Sequence, residues 1–133
     1  MIITVHPQPG TVVRVDLSEG FRPPEMVKRR PAIIVSPPVT GRKQMCTIVP
    51  LSTTPPNPAL LHHMEITFDP PLPEPYASPR MWLKGDIILT VAFHRLRFLF
   101  RRDRQGRRVQ DPRVLDPDVF ERVKQCVRHG VGL

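Results

Sequence analysis

Eighteen of the 133 residues are proline, and their placement decides what this chain can fold into. An interior proline removes a backbone donor and clashes one turn back in a helix, so long helices cannot dominate. Eight prolines fall between positions 55 and 79, where they favour extended, solvated loops. What they leave intact is a series of short apolar runs. Residues 11–17 alternate, with Val13, Val15 and Leu17 on one face and Arg14 and Asp16 on the other, which predicts a half-buried strand. Residues 31–36 predict a buried strand opening at a proline. Residues 45–51 predict a third strand, with Pro50 marking an edge or a bulge. Residues 63–68 alternate again (Met64, Ile66 and Phe68 inward), residues 82–91 read as a strand kinked at Gly85, and residues 97–109 read as a basic hairpin turning near 103–106. One helix closes the chain. Asp116 suits its N-cap, Pro117 its first turn, Val119, Phe120, Val123 and Val127 its buried stripe and Gly130 its stop. The pattern predicts a mainly β fold in one domain, a small curved β-barrel with a C-terminal helix packed on it.

With 40% hydrophobic residues there is material for a core. No apolar run approaches the ~18–20 residues of a membrane span, and residues 1–7 lack the basic and apolar regions of a signal peptide. A cytoplasmic protein with no membrane association is therefore expected, with Cys46 and Cys126 as buried reduced thiols.

The net charge is +8, and 16 of the 20 basic residues are arginine. Between His94 and Arg113 eight arginines face only Asp103 and Asp111, so that stretch alone carries +6. Concentrated guanidinium groups suit phosphate or carboxylate, which points to a nucleic acid or a strongly acidic protein as partner. The bland alternative is a solvated hairpin.

Among site chemistries, a metal centre is disfavoured. His62 and His63 are adjacent and, on a strand, would point to opposite faces, and His6, His94 and His129 have no ligand spacing with either cysteine. No cofactor is expected, because no phosphate-cradling glycine loop or nucleophile elbow is present. What remains is a basic loop end, Lys28-Arg29-Arg30-Pro31, and a hydroxyl run, Ser52-Thr53-Thr54, each bordering an apolar strand. An antiparallel pair turning through residues 37–44 brings Arg30 and Ser52 to the same end of the sheet. A guanidinium beside hydroxyls is a metal-free phosphate site. RNA supplies its own nucleophile, the 2′-hydroxyl, so the protein has only to move protons and stabilise the crowded phosphorane. The competing reading pairs Arg30 with a carboxylate and gives Ser52 a turn to cap.

These same residues resemble the MazF/PemK toxins of bacterial toxin–antitoxin systems. The blocks Pro9-Gly10-Thr11-Val12-Val13, Lys28 to Pro37, Cys46 to Thr54 and Trp82-Leu83-Lys84-Gly85-Asp86-Ile87-Ile88 occur in the family's order and spacing, the last as in its PemK-like branch. The resemblance implies an SH3-like barrel that forms a homodimer and cleaves single-stranded RNA without metal, leaving 2′,3′-cyclic phosphate and 5′-hydroxyl ends. It also implies an acidic, partly disordered cognate antitoxin that occupies the RNA groove, the pair binding DNA together. By position, Arg30 matches the essential arginine, Ser52 the phosphate-binding hydroxyl residue with Thr53 its neighbour, and Asp86 and Lys84 the branch's acidic and basic site residues. A guanidinium stays ionised and is a poor base. Arg30 is therefore assigned electrostatic stabilisation and Asp86 proton acceptance, an ion pair with Lys84 or an arginine being the alternative for Asp86. Lys28, Arg29 and Arg14 are candidate RNA contacts, and Arg14 stands where relatives often have an aromatic residue. The loop at residues 20–28 departs from the family's usual form, so no base preference is implied. Two other readings stay open: a non-catalytic nucleic-acid-binding barrel, and a CcdB-like gyrase poison, a mode whose terminal Trp-Gly-Ile is not matched by Gly130-Val131-Gly132-Leu133.

Overall fold

The computed structural model describes residues 1–133. Its strands are β1 (Val12–Asp16), β2 (Arg29–Ile34), β3 (Met45–Ser52), β4 (His63–Thr67), β5 (Arg80–Lys84), β6 (Leu89–Ala92), β7 (Leu96–Phe98), β8 (Phe100–Arg102) and β9 (Arg108–Gln110). They are followed by the helix α1 (Pro117–Gly130). The main sheet is antiparallel in the order β4-β5-β3-β2-β1-β7, with β6 also pairing β3, while β8 and β9 form a separate ribbon. The expected mainly β architecture with one closing helix is present. The sheet does not close into a complete barrel, because β4 and β7, at its two ends, are not hydrogen-bonded to each other.

The sheet is covered on both faces where it matters most. Val13, Val15, Leu17, Ala32, Ile34, Cys46, Ile48, Val91 and Leu96 form one buried cluster. Val12, Ile33, Val49, Leu51, Leu83, Val123 and Cys126 pack between the opposite face and α1. The half-buried expectation for β1 is thus corrected: Val12 is fully buried on the face read as polar, because α1 and the β4–β5 unit lie over it. On α1 the fully buried positions are Val123 and Cys126, with Val119, Phe120 and Val127 partly covered.

Two further expectations shift. Residues 82–91 are two strands, because β3 is longer than either partner. It pairs β6 through Met45–Ile48 and β5 through Leu51 and Ser52. Pro50, which has no N–H to donate, sits between these two ladders, where β3 changes partner. Gly130 lies inside the helix as its last residue and does not end it as a left-handed cap. Its role is close approach. A Cβ on Gly130 would stand 2.5 Å from the Asp86 nitrogen, and one on Gly85 would stand 2.2 Å from the Cys126 carbonyl oxygen. The last turns of α1 therefore rest directly on the backbone that carries Asp86. No helix is long and apolar enough to cross a membrane, and both cysteines are buried and unbridged, burial holding the Cys46 thiol up to about 11.

Candidate active site

The ladder between β2 and β3 ends early, and the reason is a proline. Ile34 donates to Thr11 (3.0 Å) and Val35 to Thr47 (2.9 Å), so alternate N–H groups of β2 point at opposite neighbours. Pro31 falls in the set aimed at β3 and has nothing to donate. Pairing between β2 and β3 stops at Ala32 opposite Pro50, whereas β1 stays paired to β2 as far as Arg29. Continuing the register sets Arg30 opposite Ser52 across the opened end. At the other edge of β3, Ser52 is directly opposite Trp82.

Residues opposite one another in a ladder share a face, as do residues two apart on a strand. Arg30, Ser52, Trp82 and Lys84 therefore share one face of the sheet, the one that carries Ala32, Ile34 and Ile48. Arg14 and Arg29 are on the other face: Arg14 is paired to Pro31 and Arg29 to Asp16, one step out of phase with Arg30. The basic residues singled out in the sequence are thus divided between two surfaces.

Arg30 has no counter-charge. None of the chain's seven ion pairs includes it, and its Nε is buried without a hydrogen-bond partner. A buried donor left unmade costs free energy comparable to a lost hydrogen bond, so this guanidinium is primed for an anion. Its neighbour Arg29 differs, since its Nε donates to Asp16 at 3.0 Å. That pair and two hydrogen bonds from Ser18 hold the Asp16 carboxyl down at about 2. Ser52 is 6% exposed and its Oγ accepts the Thr54 N–H at 3.1 Å, which bends the chain out of β3. Its turn-capping role is therefore real, and its hydroxyl proton still has no acceptor in the protein. Arg30 and Thr53, with Lys28, Arg29, Thr54, Leu51 and Tyr76 among the walls, line an open recess of about 220 Å³ at this end of the sheet, which contains no carboxylate and does not include Ser52.

Asp86 is elsewhere. It lies in the turn after β5, two residues past Lys84, and lines a separate recess with Phe21, Glu25 and Met26 of the β1–β2 loop. The expected ion-pair partners, Lys84 or an arginine, are not the ones it has. Its neighbour is His62, whose Nε2 is 3.6 Å from Asp86 Oδ1. Here the argument against a metal from histidine adjacency is corrected. His62 belongs to the turn before β4 and escapes strand alternation, so the two rings stack edge-on at 4.2 Å. Ligand atoms of His62, His63 and Asp86 lie within 4.8 Å of one another, the one grouping able to hold a metal ion. The Leu60 N–H, however, donates to His63 Nδ1 at 3.0 Å, and Lys84 is paired across from His63. Ligation by Nδ1 would break that hydrogen bond, and a cation there would meet another cation.

Sequence reasoning did not single out Trp82 or Tyr76 for the site. Trp82 was findable from the two-residue phase it shares with Lys84. Tyr76, the only tyrosine, had no periodic signal inside its proline-rich loop.

A search of curated proteins found no match. Solved structures do match over nearly the whole length. One is an endoribonuclease in complex with its cognate antitoxin from a mycobacterial species (19% identity, TM-score 0.63, covering 96% of this chain and 97% of that one). Another is MazF from Deinococcus radiodurans (19%, 0.59, 96% and 97%), and a third is the Mycobacterium tuberculosis toxin MazF-mt6 (15%, 0.57, 95% and 98%). At these identities they establish the shared fold. The profile of the PemK-like, MazF-like toxins of type II toxin–antitoxin systems matches residues 8–131, and the chain belongs to that toxin family.

Proposed function

We propose that the protein is a metal-independent endoribonuclease toxin that cleaves single-stranded RNA in the cytoplasm, acts as a homodimer and is neutralised by an acidic cognate antitoxin. The observation that carries this reading is Arg30, a guanidinium with a buried, unpartnered Nε at an end of the sheet opened by Pro31, in a recess it shares with Thr53 and Thr54. In this scheme Arg30, joined by Thr53 and the Ser52 hydroxyl, holds the scissile phosphodiester and stabilises the charge that develops as the 2′-hydroxyl attacks. Lys84, on the same face, adds a second cation. Asp86, with His62 beside it, lines a recess separate from that of Arg30, so in this scheme it accepts the 2′-hydroxyl proton through a bridging water. As the 2′-oxygen bonds to phosphorus the P–O5′ bond breaks and the departing 5′-oxygen takes a proton from water, leaving a 2′,3′-cyclic phosphate and a 5′-hydroxyl. The absence of carboxylates around Arg30 argues for cationic side chains as the phosphate ligands, since metal-assisted phosphoryl transfer needs acidic ligands beside the scissile group.

The test is cleavage of a defined RNA pool in EDTA, with chemical analysis of the cut ends. Cyclic-phosphate ends generated in chelator support the proposal. Cleavage abolished by EDTA and restored by a divalent ion would instead point to the His62–His63–Asp86 cluster.

A further inference from the structure

Next to the Arg30 recess, and sharing Tyr76 with it, lies a second cationic recess of about 260 Å³, lined by Met1, Arg14, Arg97, Arg108, Tyr76 and Phe100 among others. Its construction is electrostatically uncomfortable. Arg14 and Arg97 are directly opposite each other in the β1–β7 ladder, a like-charge arrangement that destabilises a sheet. Arg108 joins them from β9. No ion pair neutralises any of the three, although Glu74 lines the same recess. Arg14 Nε, like Arg30 Nε, is buried with no partner, and these two are the only such side-chain atoms in the protein. Burial, and after it Arg97, Arg14 and Arg108, lower the proton affinity of the Met1 amine, on which the three arginines all bear. Aromatic surface completes the lining, with the Arg108 guanidinium 4.7 Å from the centre of the Phe100 ring.

We infer that this recess binds a nucleotide of the RNA strand that flanks the cleaved bond, its phosphate between Arg14, Arg97 and Arg108 and its base against Tyr76 or Phe100. The inference rests on the nuclease reading given above. Tyr76 is what links the two, because it lines both this recess and the one containing Arg30 and Thr53. A strand held at Arg30 therefore passes beside Tyr76 on its way here. An acidic peptide would satisfy the guanidinium groups but would leave the aromatic wall and the continuity with the Arg30 recess unused. Guanidinium clamps beside aromatic platforms are how single strands are gripped without sequence preference.

The test uses the whole chain and 2′-O-methyl RNA carrying 4-thiouridine, which has no 2′-hydroxyl nucleophile and stays intact. Photocrosslinking followed by peptide mass spectrometry is expected to mark Tyr76, Phe98 or Phe100. In parallel, anisotropy against salt should show the slope of log affinity falling by about 1.4 in Arg97→Ala/Arg108→Ala, the loss of two single-strand phosphate contacts. Arg97 also donates to the His94 and Leu96 carbonyls, so Arg108→Glu, at a residue with no hydrogen bond of its own, serves as the fold-safe variant and should lower the slope as well. Crosslinks confined to residues around Arg30, with an unchanged slope, overturn the inference and leave the nuclease reading standing. A glutamate-rich peptide whose binding is lost in Arg108→Glu while RNA binding is unaffected also overturns it, assigning the recess to a protein partner. Failure of wild-type protein to cut unmodified RNA would separately overturn the nuclease reading.

Discussion

In the β8–β9 ribbon, Arg101 and Arg113 converge on one oxygen of the buried Asp111 carboxylate at 2.6 and 3.1 Å, and Arg107 closes on Asp103 at 3.0 Å. Arg102 donates to the Gly106 carbonyl, and Arg113 also reaches the Pro70 carbonyl, tying the ribbon to the proline-rich loop. At the opened end of the β2–β3 ladder there is far less charge, yet Arg30 has no partner at all. The region densest in arginine thus uses much of it for its own architecture, while a sparser region leaves a guanidinium free. Charge density in a sequence marks where to look. The unmet donor marks where an anion belongs.

That contrast breaks most sharply under substitution. Arg30→Ala should lower RNA cleavage by about 10²–10³-fold, the usual cost of removing a preorganised electrostatic stabiliser, with an unchanged far-UV circular dichroism spectrum and unfolding midpoint. Arg29→Ala, next in sequence but on the other face and paired with Asp16, should cost no more than severalfold. Equal losses from the two would erase the distinction between free and engaged guanidinium groups.

Gly85→Ala tests the support under Asp86. Its new methyl would meet the Cys126 carbonyl, which is backbone and cannot swing away. Overpacking of this kind costs about 1–3 kcal/mol, readable as a lower urea midpoint. Asp111→Ala should cost about 1–2 kcal/mol, since it frees two arginines from a buried acceptor. It should raise proteolytic susceptibility within residues 100–110 and leave the loss caused by Arg30→Ala unchanged in size.

The smallest effect concerns acid. Asp16 has its folded-state value depressed to about 2 from an ordinary 3.8, by Ser18 first and Arg29 after it. The ionised form favours folding, so its contribution is complete above about pH 4 and is lost as pH falls towards 2. Because the pair is partly exposed, with Asp16 at 28% and Arg29 at 60%, the contribution should stay below about 1 kcal/mol. Asp16→Asn should remove that part of the acid dependence, measured by urea unfolding at pH 2, 3 and 5.

Legibility followed the physics of each signal. Two-residue alternation exposed Met64, Ile66 and Phe68, all of which are buried, and Pro117 does open the helix. Strand lengths also set the register between β2 and β3, which, continued past its last pair, places Arg30 level with Ser52. Alternation could not reveal that Pro31 ends the ladder there, since that depends on which neighbour each N–H faces. Nor could it place Arg14, whose face is polar by pattern yet adjoins buried Val12. The basic hairpin was expected from residue 97, but Arg97 belongs to β7 in the main sheet and the ribbon starts at Phe100. The break between β7 and β8 at Leu99 leaves no mark in an unbroken run of arginine and apolar residues. His62 and Asp86 meet through the Gly85 N–H bond to the His62 carbonyl, a contact between two turns that no local spacing encodes.

The most direct measurement is RNA cleavage in EDTA by the wild-type protein, Arg30→Ala and Arg29→Ala side by side, with sequencing of the cut ends. We expect cyclic-phosphate ends from wild type and Arg29→Ala and almost none from Arg30→Ala. Undiminished cutting by Arg30→Ala, in a variant that is still folded, would contradict the assignment of the unpartnered guanidinium as the centre of this site.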